Sequence, residues 1–348
     1  MITKIIAIGD PHFKSDNIPE IELFIQKIID IVHEKKPDLI ILLGDILDTF
    51  EKINIYPLNK ACEFINKLRK ISKTIVLVGN HDMGSLSFLT KNHWLNPLKE
   101  WENTVIVDEV IIEKINGENF IFAPFVPNGM FEKALNTIGD TWEHSSMIFC
   151  HQEFYGCSMG SIISVEGDKW SLNNPPIISG HIHNKQKPQE NIFYVGSSTQ
   201  TSFGEDGNKI IAYIEFENKN HKIEEIELIL PKKKILHMDI DEVANFNYED
   251  ESENKIKVSI SGIYEEFKTF KKTKKYKDML DKGIKVVFKP KRIETKLKNQ
   301  AIQDNINSNK DSNNFKEILE TMIEKQENPW VKEVFELVIN NREIFILK

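Results

Sequence analysis

Asn80, His81 and Asp82 follow Val76-Leu77-Val78-Gly79, an apolar run that reads as a buried strand and stops at a glycine. Asn80 can offer a metal ion a neutral oxygen, and His81 beside it can hand a proton to a leaving group. Four further fragments also end apolar runs on groups of this kind: Asp10-Pro11-His12, Gly44-Asp45-Ile46-Leu47-Asp48, His151, and Gly180-His181-Ile182-His183. Residues two apart on an extended chain point to one side, so Asp10 and His12 can grip a single ion. Taken together, Asp10, His12, Asp45, Asn80, His151, His181 and His183 are seven nitrogen and oxygen donors, more than one catalytic ion needs. They suit two ions roughly 3.5–4 Å apart sharing a bridging carboxylate, with Asp45 the natural bridge. Two divalent ions on two carboxylates leave a surplus of about +2, which favours an anion such as phosphate and lowers the pKa of a bound water. The mixed donor set leaves Mn, Fe and Zn open.

A lone GDxxD or HxH carries little weight; the weight here comes from the elements that must position these groups. Lys4 to Gly9 and Leu39 to Leu43 are continuously apolar apart from their ends, as in a parallel sheet buried on both faces. Apolar residues recur at helical spacing from Ile21 to Val32, before the stop signal Pro37, and again from Leu58 to Ile71. Three strand–motif–helix units predict an α/β sheet with its ligands at the C-terminal strand ends. The runs Val105–Val107, Val110–Ile112 and Phe120–Ala123, with a turn at Asn116-Gly117, suggest a second sheet packed on the first. Runs ending at Cys150, Gly180 and Gly196, and the strand Ile210–Phe216, complete the sheets, and the domain is expected to close near Leu230. Beyond Pro231, residues 231–298 read as a small α+β module, with strands at 256–260 and 284–288 around a helical stretch from Tyr264 to Leu280. Residues 299–314, poor in hydrophobics and rich in Asn and Ser, read as a linker, and 315–348 as two apolar-striped helices.

A chain of 348 residues has room for one large domain and a smaller one. No apolar run reaches the roughly 18 residues of a membrane span, so no membrane is expected. The amino-terminal segment enters a strand at once, so no cleavable signal peptide is expected. Cys62, Cys150 and Cys157 form no CxxC pair, which points to a reducing compartment and a cytoplasmic location, at the nucleoid or a viral replication site. Cys150 and Cys157 read as buried small hydrophobes, and frequent Ile, Lys and Asn suggest an AT-rich viral or bacterial genome. The net charge of −8 argues against nonspecific nucleic-acid binding, yet Lys255 to Lys298 carries 14 lysines and one arginine against five acidic residues. That stretch is either a solvated face or a surface that tracks phosphates.

The five fragments, in this order, resemble the motifs of the calcineurin-like metallophosphoesterases over roughly residues 5–215. The resemblance implies a two-sheet α/β sandwich flanked by helices around a dinuclear site, with Mn ahead of Fe and Zn. Asp10, His12 and His183 would hold one ion, Asn80, His151 and His181 the other, and Asp45 would bridge them. His81, paired with Asp48, would sit by the leaving group. Within the superfamily the chain is most similar to SbcD-type DNA repair exonuclease subunits and phage recombination endonucleases. Lys36-Pro37-Asp38-Leu39-Ile40 and the segment Val195–Glu205 carry that likeness, together with the layout of small module, linker and helices. Cys150 departs from the glycine that many relatives place before this histidine.

What this implies is a metal-dependent exo- or endonuclease of DNA repair and recombination. Lys271, Lys272, Lys274 and Lys275 are its candidate DNA contacts, the C-terminal helices would dock on an SbcC-type coiled-coil ATPase, and a homodimer is open. The nearest alternative is an enzyme of small phosphodiesters or phosphomonoesters. A non-catalytic scaffold on the same fold sits badly with an intact donor set.

Overall fold

The computed structural model describes residues 2–48, 52–217, 220–247, 254–291 and 323. The expected linker, and the expected C-terminal helices apart from residue 323, lie outside these residues.

The chain runs β1 (Thr3–Ile8), α1 (Ile18–Lys35), β2 (Leu39–Leu42), α2 (Ile55–Arg69), β3 (Lys73–Leu77) and β4 (Thr104–Val107). It continues through β5 (Ile111–Ile115), β6 (Glu118–Ala123), α3 (Phe131–Leu135), β7 (Met147–His151), β8 (Ser158–Met159) and β9 (Ile162–Ile163). Then come β10 (Ile177–Gly180), β11 (Gln186–Gln189), β12 (Ile192–Tyr194), β13 (Lys209–Glu217) and β14 (Asn220–Leu228). Two six-stranded mixed sheets result, ordered β14-β13-β1-β2-β3-β4 and β11-β12-β10-β7-β6-β5. This is the α/β two-sheet sandwich that the strand pattern implied.

Every second residue of β1 and β2 serves a different layer. Ile5, Ala7, Leu39 and Ile41 meet Phe120, Phe122, Phe149 and Ile178 of the other sheet, while Ile6, Ile8, Ile40 and Leu42 pack under α1 and α2. Burial on both faces is why these strands are apolar without alternation. One expectation is corrected: Val105–Val107 belongs to β4, which pairs parallel with β3 in the first sheet. Its residues are as apolar as those of β5 and β6, so only the pairing assigns it.

Within each sheet the inner strands are parallel, β1-β2-β3-β4 in one and β12-β10-β7-β6 in the other. Their C-terminal ends share one rim, where an open α/β sheet binds its ligands.

Residues 233–290 add a three-stranded sheet: β15 (Lys233–Asp239), β16 (Lys255–Gly262) and β17 (Lys285–Pro290), with α4 (Ile240–Val243), α5 (Tyr264–Phe270) and α6 (Lys274–Asp281). It has its own apolar cluster, including Val258, Ile260, Phe267, Phe270 and Met279. β15 runs parallel to β16 and was not visible as a strand in its lysine-rich sequence. No helix among the described residues is long and apolar enough to cross a membrane.

Candidate metal centre

Five strand ends converge. Asp10 and His12 follow β1, Asp45 follows β2, Asn80 and His81 follow β3, His151 ends β7, and His181 and His183 follow β10. Asp10, His12, Asp45 and His181 all adopt positive φ, at 26°, 47°, 49° and 79°. None is glycine, so this is a cost that the surrounding structure must hold in place, as at many functional sites. Glycines leave room for the donors: a Cβ at Gly180 would sit 2.6 Å from Asp10 Oδ1, and one at Gly79 would collide with Asp45.

The donor atoms form two overlapping groups. In one, Asn80 Oδ1 lies 3.0 Å from His151 Nε2 and 2.9 Å from His181 Nδ1, and Asp45 Oδ2 lies 3.3 Å from His151 Nε2. In the other, His12 Nε2 and His183 Nε2 face each other at 2.9 Å, with Asp45 Oδ2 3.8 Å from His12 Nε2. Asp45 is common to both. Asp10 Oδ1 lies 3.4 Å from His151 Nδ1, and both Asp10 oxygens are buried with no hydrogen-bond partner among the described residues. Donors around one ion at about 2.1 Å stand roughly 3 Å apart, so these separations and the unpartnered Asp10 carboxylate fit two divalent cations.

At His12 and His181 protonation agrees with that use. Burial lowers the pKa of His12 to about 3 against the pull of Asp45, and burial with His151 beside it lowers His181 to about 3. Both are therefore neutral imidazoles with lone pairs available at pH 7. Burial also opposes charge on His151, but Asp45 and Asp10 outweigh it and lift its pKa to about 9. Burial raises Asp10, whereas the surrounding imidazoles overcome burial at Asp45 and bring it far below the carboxylate range. The His151 Nδ1–H donates to Leu43 O at 2.7 Å, which turns Nε2 toward the centre.

A ring nitrogen of His81 lies within 4.8 Å of donor atoms of His12 and Asp45, its backbone N–H donates to Asp45 Oδ1 at 2.8 Å, and its ring packs edge-on to His12 at 5.0 Å. Its Nδ1 lies 2.7 Å from the Asp48 backbone carbonyl. The His81–Asp48 pairing thus runs through the main chain. The Asp48 carboxylate stands 3.5 Å from His12 Nδ1 and 3.6 Å from the Lys14 ammonium. Lys271, Lys272, Lys274 and Lys275 lie where α5 passes into α6, and Lys275 donates to Asn247. None of the four is paired with a residue of the centre among the described residues.

Two functional groups escaped the sequence reading. Asp82, buried, accepts from the backbone N–H groups of Ile46 and Gly79 at 3.1 Å and from Trp94 Nε1 at 2.8 Å. It clamps the Asp45 loop to the Asn80 loop, and burial together with Asp45 raises its pKa to about 7. Glu205 Oε1 accepts from His183 Nδ1 at 3.2 Å, while Glu205 Oε2 takes the Thr201 N–H at 2.9 Å and the Lys209 ammonium at 3.3 Å. Burial works against charge on Glu205, but His183, Thr201 and Lys209 overcome it and hold the carboxyl below its usual range. Asp82 was visible beside His81 but had no assigned task. Glu205 is 22 residues from His183, and no spacing rule links them.

Cys150 and Cys157 are fully buried in the apolar layer outside the second sheet.

A family model described as calcineurin-like phosphoesterase matches residues 3–185. The chain is 42% identical over 292 residues to the protein named Putative phosphoesterase 078R of Invertebrate iridescent virus 3, covering 82% of this chain and 84% of that one. It is 43% identical over 279 residues to Putative phosphoesterase 244L of Invertebrate iridescent virus 6, covering 78% of this chain and 98% of that one. Among solved structures, it is similar to GAP50 of Plasmodium at 13% identity and a TM-score of 0.43, over 65% of this chain and 84% of that one.

Proposed function

The chain belongs to the calcineurin-like phosphoesterase family, and from that premise we propose that it is a metal-dependent nuclease that hydrolyses DNA phosphodiesters. The observation that carries the reading is the convergence of Asp10, His12, Asp45, Asn80, His151, His181 and His183 from five strand ends onto one rim. Asp10, His12 and His183 would hold one divalent ion and Asn80, His151 and His181 the other, with Asp45 between them. Two such ions, Mn ahead of Fe and Zn, supply Lewis acidity toward a phosphate and an activated water. The chain's own part is to place the ester and manage protons. His81 reaches the edge of the centre, where it donates a proton to the departing sugar oxygen. The Asp48 carbonyl accepts from His81 Nδ1–H and fixes the ring, so that Nε2 is the end that faces the ester.

DNA is favoured over a small ester by what adjoins the rim. The segment after His183 and the loop between β1 and α1 are both tied to the lysine-rich sheet: Gln200 Oε1 accepts from Lys233 N at 2.7 Å, and Lys255 Nζ donates to Asp16 O at 3.1 Å. A small ester has no use for that surface. The likeness of Val195–Glu205 to SbcD-type subunits supports the same reading, and with it a place in DNA repair or recombination. On this reading an SbcC-type coiled-coil ATPase is the partner, with residues 315–348 its docking segment.

The deciding experiment is degradation of end-labelled duplex DNA with Mn²⁺, beside a small chromogenic phosphodiester, with Asp45→Ala as control. Cleavage of both by the wild type alone supports the nuclease. Cleavage of the small ester alone, even with the ATPase partner supplied, returns the reading to small phosphoesters.

A further inference from the structure

Between the metal centre and the three-stranded sheet lies a group of side chains that the hydrolysis itself does not use. The Lys14 and Lys233 ammonium groups both donate to the Thr201 carbonyl, at 3.3 and 3.0 Å, and Lys233 also donates to Gln200 O at 2.5 Å. Lys14 stands 3.6 Å from the Asp48 carboxylate, whose other oxygen faces His12, so the pair begins one carboxylate away from the centre. Lys233 sits only on carbonyls and has no carboxylate within ion-pair distance among the described residues. Burial, and then Lys14 and Lys255 nearby, pull its pKa below the ordinary lysine value against the opposing pull of Glu20 and Asp16. Two ammonium groups on one carbonyl repel each other, and Asp48 faces only the Lys14 end of the pair. Two residues along, Phe203 is partly buried beneath the Lys257 ammonium, which lies 5.5 Å from the ring centroid.

We propose that Lys14, Lys233 and Phe203 form a nucleotide subsite beside the metal centre, which takes the phosphate and base next to the scissile linkage. Ammonium groups recognise phosphate, and a partly open aromatic ring beside a lysine recognises the π-face of a base. Together they form the recognition chemistry of single-stranded nucleic acid. An acidic peptide would use the lysines but not the ring. The inference rests on the polynucleotide reading above and makes it specific: the strand leaving the centre crosses the Thr201 loop toward the lysine-rich sheet. The same loop carries Glu205, which holds His183, so a bound nucleotide also braces a metal ligand.

The test is fluorescence anisotropy of the full-length, Mn²⁺-loaded chain with a labelled phosphorothioate oligothymidylate across a salt series. For Lys14→Gln/Lys233→Gln, the slope of log affinity against log salt should fall by about 1.4, two single-strand contacts at about 0.7 each. Lys14→Arg/Lys233→Arg, which keeps both charges, should keep the wild-type slope. Phe203→Ala should weaken binding about tenfold with no change of slope, the mark of lost stacking. An unchanged slope in the glutamine variant, a lost slope in the arginine variant, or no salt-dependent binding by the wild type overturns the subsite. Binding as expected, with ordinary DNA left intact, would sink the nuclease reading and leave the subsite standing. DNA cleavage by variants that bind like the wild type would do the reverse.

Discussion

Glu205 and His183 meet at 3.2 Å, with the carboxylate on Nδ1 and Nε2 turned to His12. A carboxylate behind a ligating histidine fixes its tautomer and makes it a better donor. Lys209, buried behind Glu205 and donating to Ser197 Oγ at 2.8 Å, keeps that carboxylate in place. Glu205→Ala should weaken binding at one of the two metal positions by about 10- to 100-fold, read by titrating Mn²⁺ and following free ion by electron paramagnetic resonance. Glu205→Gln, which can still accept a hydrogen bond, should recover part of the loss. Equal affinity at both positions in the alanine variant would remove the role.

His81 and Asp45 separate catalysis from assembly. His81→Ala should lower turnover about 10²- to 10⁴-fold and retain two metal ions per chain by elemental analysis. Asp45→Ala removes the group common to both donor sets and should deplete metal along with activity. A His81→Ala chain that has lost both ions would end its assignment as the acid.

Gly79 admits no side chain, because a Cβ there would collide with Asp45. Gly79→Ala should displace the Asp45 loop and cost roughly 1–3 kcal/mol, seen as a lower denaturation midpoint together with lost metal. Asp82→Ala should have a similar effect by a different route, since it strands the N–H groups of Ile46 and Gly79 and frees one loop from the other. Wild-type stability and metal content in either variant would show that the rim is less constrained than these contacts require.

Asp108 supplies a pH-dependent term remote from the metal centre. Burial opposes its charge, but hydrogen bonds from Lys99, His93 and Lys91 outweigh burial and bring its pKa to about 2. A carboxylate depressed in the folded state stabilises the fold above its unfolded value near 3.9, and that stability disappears as pH falls through the folded value. The expected size is about 2 kcal/mol at neutral pH, lost between about pH 4 and pH 2. Comparison of wild type with Asp108→Asn by urea unfolding should show the gap between them closing over that window. A gap that stays constant with pH would assign Asp108 a packing role.

How the fold reads from sequence depends on the range of the interaction. β1, β2 and β3 are legible because strands buried on both faces must be apolar throughout, and the donors stand immediately after them. That local rule is enough to single out the metal-ligand candidates and the two-sheet α/β class. β4 is as apolar as its neighbours in sequence, so its place beside β3 depends on backbone pairing that leaves no trace in composition. β15, rich in lysine, is held by pairing with β16 and shows no strand pattern of its own.

The same division runs through the site. Residue types and their position at strand ends determined which groups can bind metal, since that chemistry resides in the side chains themselves. The tertiary structure decided what surrounds them: that Asp48 meets His81 by its carbonyl, that Asp82 clamps two loops, and that Glu205 stands behind His183. It also brought Lys14 and Lys233, far apart in the chain, onto one carbonyl. Such contacts join residues across long sequence separations. They are set by how two sheets and a third pack at their edges, which no local pattern of residues encodes.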